Sequence, residues 1–341
     1  MPIQSPGLYG LSTEGVNFVK KNYARSFPVI DESLRLTVAT IDSNLQIELN
    51  SKRELSDILP ATETLSKIKE IFFAPKVKKW GQDWWEEILH HVKFIGNSIS
   101  QGQQFINLVP VALGKNEQLI NTIETVSGLS VGKDFGYHYM PIPVNIATVV
   151  SVWDGTPYEW SNGQVSLEEG ENGYLIRSVS NYLKLFEEVW LNRSKSVFIS
   201  DYSRGIFPLT LSLESFERGS SIYGISHVLL KSSDDYINQI VNDIKAKLRE
   251  ENIKPARAIV YVIWELDDYE LFNEAHYLRA KLISRLEEHF GEIIPLSLKK
   301  MENLTLNYSI SRESVILACT KVSANALLNS EVSKIVVPGV I

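Results

Sequence analysis

Hydrophobic and polar positions along this chain follow two periods in turn. Short β-branched or aromatic runs predict buried strands: residues 34–41, ending at Asp42, residues 70–74 before a proline, and residues 105–109, closed by Pro110. Between the later runs the apolar spacing lengthens to that of a helix. Trp84, Ile88, Val92 and Ile95 share one face of a segment predicted helical over residues 84–95, and residues 116–126 repeat the pattern. Alternation of this kind predicts α/β layers built on a parallel sheet.

Residues 155–173 break the alternation. They are rich in Gly, Pro, Ser and acidic side chains and read as a surface loop. A long helix is expected from residue 174 to about 198, with Tyr182, Leu185, Phe186, Val189 and Trp190 apolar, and another over 235–249, ending before Lys254-Pro255. The remainder reads as a smaller α/β unit, with strands at 258–264, 293–297, 315–319 and 334–337 and a helix at 274–290. The expected architecture is therefore α/β, with two Rossmann-like parallel-sheet domains (residues 1–165 and 251–341) joined by a helical central region, 166–250.

Composition narrows the class. Of 341 residues, 44% are hydrophobic and 22% charged, an ordinary globular balance. The net charge of −7 comes with Lys and Arg spread along the chain, which argues against a nucleic-acid partner. Cys319 is the one cysteine, so the chain forms no internal disulfide or cysteine metal cluster, and a reducing, cytoplasmic setting is expected. No apolar run approaches the length of a membrane span.

Several segments, in order, resemble the UDP-glucose/GDP-mannose dehydrogenase family. Ser5-Pro6-Gly7-Leu8-Tyr9-Gly10-Leu11 is similar to that family's Gly-Leu-Gly-Tyr-Val-Gly-Leu dinucleotide loop, and residues 14–21 to the helix after it. Residues 42–50 resemble the strand-two acid and its following helix, and residues 101–110 sit where the family has the strand before a Pro-Gly-Thr-Thr turn. Ser127-Gly-Leu-Ser-Val-Gly-Lys-Asp-Phe-Gly136, with Tyr139 and Pro141, is the nearest match. Lys184-Leu-Phe-Glu-Glu188 looks like the start of the central helix, and residues 254–337 have the shape of the UDP-binding domain.

The resemblance implies NAD as cofactor, held by Gly7, Tyr9, Gly10, Asp42 and Pro110, on a degraded loop. Ser5 replaces the first glycine and Pro6 removes a backbone N–H. Gly7 and Gly10 are compatible with anion binding at a helix N-terminus, and equally with an ordinary turn before a helix. The ribose-binding acid is Asp42, or Asp31 if the segment before it is the true strand two.

In the family, oxidation of alcohol to carboxylate passes through a thiohemiacetal on a cysteine in a Gly-Gly-x-Cys segment. The corresponding residues here, Ser221 to Val228, contain none. Cys319 reads as a small core residue. Ile142 stands for the family's Glu, the Thr-Thr of the turn is replaced around Leu113-Gly114-Lys115, and Glu188 stands for an Asn one turn after Lys184. These losses predict a catalytically inactive regulatory or scaffold subunit, a homodimer or a heterodimer with an active relative, in contact with a nucleotide or nucleotide sugar. An active NAD-dependent oxidoreductase using Lys184 or His227 as acid or base, and a nucleotide-sensing module, are the alternatives. His90-His91 faces two directions on a helix and predicts no metal site, and Glu265 with Asp267-Asp268 reads as a solvated loop. Asp201-Tyr-Ser-Arg-Gly205 resembles the Asp-x-Ser/Thr-x-Gly turn of cyclic-oligonucleotide sensor domains.

Overall fold

The computed structural model describes residues 6–10, 12–22, 29–31, 58–60, 65–77, 84–142, 150–152, 166–191, 197–267, 270–298, 313–328 and 335–336. Two compact units divide the chain. The first comprises Met1–Ile176 with Tyr269–Asn273, the second Arg177–Asp268 with Glu274–Ile341. The expected α/β class with parallel sheets is borne out in both.

The first unit is built on seven strands: β1 (Gly7–Tyr9), β2 (Val29–Asp31), β3 (Ile58–Pro60), β4 (Glu70–Phe73), β5 (Gln104–Asn107), β6 (Gly136–Tyr139) and β7 (Val150–Val152). Their order is β3-β2-β1-β4-β5-β6-β7, parallel throughout except for β7, which runs antiparallel to β6. Neighbours of β1 on its two sides are reached by connections in opposite directions, so strand order reverses between β1 and β4. In an open α/β sheet such a reversal leaves a crevice at the carboxyl ends of the two strands.

Parallel strands covered on both faces carry apolar side chains in succession, as Ile71-Phe72-Phe73 does on β4. Helices α1 (Thr13–Asn22), α2 (Trp84–Gly96) and α3 (Lys115–Ser127) follow β1, β4 and β5. The predicted face of α2 is the buried one: Trp84, Ile88, Val92 and Ile95. Each of the three aliphatic side chains, Ile88, Val92 and Ile95, contributes about 1.5–3 kcal/mol by leaving water.

Helix α4 (Leu167–Phe186) corrects the loop reading of residues 155–173, whose last seven residues are helical. A reciprocal cap starts it. The Glu169 carboxylate accepts from the Ser166 N–H at 2.9 Å, and the Ser166 hydroxyl accepts from the Glu169 N–H at 3.2 Å. Two capped donors outweigh the cost of Gly170 and Gly173 in the first turns. The predicted strand 34–41 and Asp42 lie outside the described residues.

In the second unit α4 ends in a π-helical turn, Glu187–Leu191, earlier than the helix expected to reach residue 198. Phe198 instead precedes α5 (Ile199–Ser203), which leads to α6 (Ile206–Ser215). The helix expected over 235–249 is the second half of α7 (Ser221–Glu250), which starts where the Ser220 hydroxyl caps the Tyr223 N–H. Its early turns expose Ile225 and Val228, so no buried stripe announced them. Strands β8 (Ile259–Ile263), β9 (Glu292–Leu296), β10 (Ser314–Ala318) and β11 (Ile335–Val336) form a parallel sheet in the order β11-β10-β8-β9, with α8 (Glu274–Glu287) and α9 (Lys321–Leu328) between them. Ile263, Ile316, Ala318, Ala324 and Leu327 form a core cluster there. Among the described residues no helix is long and apolar enough to cross a membrane.

Candidate functional site

The turn from β1 into α1 opens on the crevice where strand order reverses. Gly7 and Tyr9 lie within β1 rather than in the turn, so the glycine turn begins five residues later than the resemblance places it, at Gly10 rather than Ser5. Residues 10–15 read Gly10-Leu11-Ser12-Thr13-Glu14-Gly15, the spacing of a dinucleotide fingerprint with serine at its second glycine. Gly10 has φ +104°, and a Cβ there would lie 2.5 Å from the Ala74 oxygen. A Cβ on Gly15 would lie 2.7 Å from the Ala74 Cβ, so this glycine permits close helix–strand contact. Ser12, fully buried, donates its hydroxyl to the Ala74 carbonyl at 2.7 Å and accepts from the Gly15 N–H at 3.3 Å. Its carbonyl accepts from the Val16 N–H at 3.0 Å, which makes Ser12 the cap of α1.

Tyr9, assigned to the cofactor from sequence, is a core residue. Its ring stacks on Phe73 and its hydroxyl is hydrogen-bonded to His91 Nδ1 at 3.0 Å. Strand two is Val29–Asp31, so the acid at the end of its backbone is Asp31, the second of the two sequence candidates.

The first unit also receives a segment from far along the chain. The Leu271 N–H donates to Glu14 Oε2 at 2.9 Å, the Leu271 carbonyl accepts from the Val77 N–H at 2.8 Å, and Asn273 Nδ2 donates to the Val77 carbonyl at 2.8 Å. Glu14 lies in the first turn of α1, where the helix dipole favours a carboxylate. Leu271 and Phe272 are buried. These bonds set residues 270–273 between the start of α1 and the chain leaving β4, at the carboxyl end of the sheet.

A second polar cluster sits where β5 and β6 end. Asn107, Asn116, Tyr137 and Glu171 are all buried. Glu171 accepts from the Gly114 N–H at 2.7 Å, from the Asn116 N–H at 3.0 Å and from Asn116 Nδ2 at 2.8 Å. Asn107 Nδ2 donates to Asn116 Oδ1 at 3.0 Å, and the Tyr137 hydroxyl donates to the same oxygen. Gly114, at φ 74°, turns the chain so that the first N–H groups of α3 point at the carboxylate. Burial pushes the Glu171 carboxyl above its ordinary value, and the donors of Asn116 and Gly114 pull it back. A protein carboxylate thus occupies the α3 terminus, the kind of place a phosphate takes in other folds. Pro110, in the segment from β5 to α3, is buried.

Sequence reasoning missed Ser12, Glu14 and Glu171. The first two were hidden by the five-residue shift of the turn. Glu171 lay in the supposed loop, although Ser166 and Glu169 carry the capping-box signature of a helix start.

Residues with catalytic expectations fall in the second unit. Lys184 and His227 are both exposed on helix surfaces, Lys184 on α4 and His227 on α7 with its ring near Tyr223. Cys319, after β10, is fully buried, and burial raises its thiol far above the usual range. Asp201 is a cap: its carboxylate accepts from the Phe198 N–H at 2.8 Å. Glu274 accepts from the N–H groups of Gly205 (3.1 Å) and Phe207 (2.7 Å), capping α6. Among the described residues no group of His, Cys, Asp and Glu is arranged to hold a metal ion.

No family model and no curated protein matches the chain. Solved structures do. UDP-D-ManNAc dehydrogenase from Pyrococcus horikoshii superimposes with a TM-score of 0.61 at 14% identity, covering 93% of this chain and 89% of that one. A UDP-glucose dehydrogenase from Pyrobaculum islandicum gives 0.57 at 13% identity, covering 93% and 90%. NDP-N-acetyl-D-galactosaminuronic acid dehydrogenase from Methanosarcina mazei gives 0.50 at 13% identity, covering 96% and 90%. The chain has the fold of the nucleotide-sugar dehydrogenases.

Proposed function

We propose that this chain keeps the nucleotide-sugar dehydrogenase fold without its oxidation chemistry and works as a regulatory or scaffold subunit in the cytoplasm. The observation that carries this reading is the state of Cys319. Thiohemiacetal chemistry needs a thiolate within reach of an aldehyde. The one cysteine of the chain is sealed in the core, with a thiol that burial keeps protonated. Lys184 and His227 are exposed on helix surfaces, which supports neither as acid or base of an enclosed site.

The central helices, residues 166–250, are the region assigned to dimer formation, with this chain's second copy or an active relative as the occupant. Leu183 on α4 and Ile225 and Val228 on α7 are exposed there at 45%, 40% and 57%. A nucleotide or nucleotide sugar, and NAD, are the ligand classes to which the fold points, acting as sensed or structural ligands rather than reactants.

The test is to incubate the purified chain with NAD and, in turn, UDP-glucose, UDP-N-acetylmannosamine and GDP-mannose while following NADH absorbance. The expected result is none above background. NADH formation with any of the three sugars would overturn the reading. Light scattering gives the second check: a strict monomer that captures no active dehydrogenase would remove the scaffold role.

A further inference from the structure

We propose that residues 270–273 form an internal strap that gates the crevice between β1 and β4, shutting out the pyrophosphate of a dinucleotide until the strap lets go. The proposal rests on the reading above in one respect: a dinucleotide here is a sensed ligand, not a reactant.

Much of a dinucleotide seat is present around that crevice. Gly10 makes the tight turn after β1, Gly15 brings α1 against the sheet, and Asp31 ends β2. A pyrophosphate in such a fold lies at the N-terminus of the helix after β1, on its first backbone N–H groups. In this chain that end of α1 is already answered from within. The Gly15 N–H is turned onto the Ser12 hydroxyl, and the Glu14 carboxylate stands in the first turn, holding the Leu271 N–H. Two negatively charged phosphates cannot share this helix end with a carboxylate at low cost, because like charges brought together oppose binding.

The strap is also held from its other side. Its carbonyl at Leu271 takes the Val77 N–H, and the Asn273 amide takes the Val77 carbonyl, so the chain leaving β4 is bonded to it at both polar groups of Val77. Leu271 and Phe272 supply the buried apolar contact. Strap and pyrophosphate therefore compete for one helix terminus. Removing the Glu14 carboxylate weakens the first and relieves the repulsion against the second.

The experiment uses the full chain, as wild type, Glu14→Ala and Asn273→Ala. Backbone hydrogen exchange is followed in a peptide containing residues 270–273, and NAD binding is measured by calorimetry. In Glu14→Ala the exchange of that peptide should rise roughly tenfold or more, the scale of one lost hydrogen bond to a charged group. NAD should bind at least about tenfold more tightly than to wild type. Asn273→Ala, which leaves α1 untouched, should loosen the peptide as well and guards against misfolding of the first variant.

Unchanged exchange in both variants would overturn the strap. So would faster exchange without any gain in NAD binding, or NAD binding to wild type as tightly as to Glu14→Ala. NADH formation from a nucleotide sugar would instead strike the proposed function and leave the strap standing.

Discussion

Replacing His138 with glutamine should flatten part of the acid dependence of stability. His138 lies in the middle of β6, buried to 3% exposure, with Nε2 2.7 Å from Gln104 Oε1. An amide oxygen only accepts, so Nε2 carries the proton in that bond. A glutamine Nε2 is the same number of bonds from Cβ and can donate to the same oxygen. Burial lowers the His138 pKa from 6.5 to about 4. Between those two values the unfolded chain takes up a proton that the folded chain refuses, so stability falls as pH drops through the window. At 1.36 kcal/mol per unit the full loss is about 3 kcal/mol, of which about 2.5 kcal/mol has accrued by about pH 4.5. Above about pH 6.5 the group contributes no pH dependence. Urea unfolding of both proteins at about pH 7.5 and about pH 4.5 isolates this share, because other titrating groups are common to both. The gap between the two proteins should move by about 2.5 kcal/mol in favour of glutamine on acidification. A gap that does not change with pH would refute the argument that His138 is held neutral by burial.

Glu171→Ala removes the acceptor of three N–H groups at the start of α3. It should destabilise the first unit by about 3 kcal/mol, read by thermal unfolding. Because the Glu171 carboxyl is raised in the folded protein, its own contribution favours acid and is lost as pH climbs through the range above 4.5. Glu171→Gln should remove that slope in denaturation curves. Gly15→Ala would set a Cβ 2.7 Å from the Ala74 Cβ and should cost about 1–3 kcal/mol by overpacking, visible as a lower unfolding midpoint. Cys319 should resist alkylation by iodoacetamide in the folded protein and react on addition of denaturant, and fast labelling under native conditions would contradict its burial.

The long periodic elements were legible because their spacing alone places one face inward. Trp84, Ile88, Val92 and Ile95 were assigned together and are buried together. The strands around Phe105 and Val260 were similarly plain, since parallel strands covered on both faces read as apolar runs. Where the pattern misled, a local signal of different kind was in control. The capping pair Ser166 and Glu169 starts α4 against the glycines that suggested a loop. The exposed Ile225 and Val228 hid the early turns of α7.

Composition and periodicity determined the α/β class, the strands β4, β5 and β8 to β11 with the helices α2, α3 and α8, and the presence of a single thiol, since each depends on residues near one another in sequence. The site belongs to the tertiary structure. Glu171 meets Gly114 and Asn116 from 57 and 55 positions away, and Glu14 meets Leu271 across 257. Nothing in the local pattern of either partner announces such a bond. It arises because the sheet order sets distant segments side by side at the carboxyl ends of the strands, where the first N–H groups of α3 meet Glu171 beside β5 and β6 and the Leu271 N–H meets Glu14 beside β1 and β4. In this chain the acceptors are its own carboxylates.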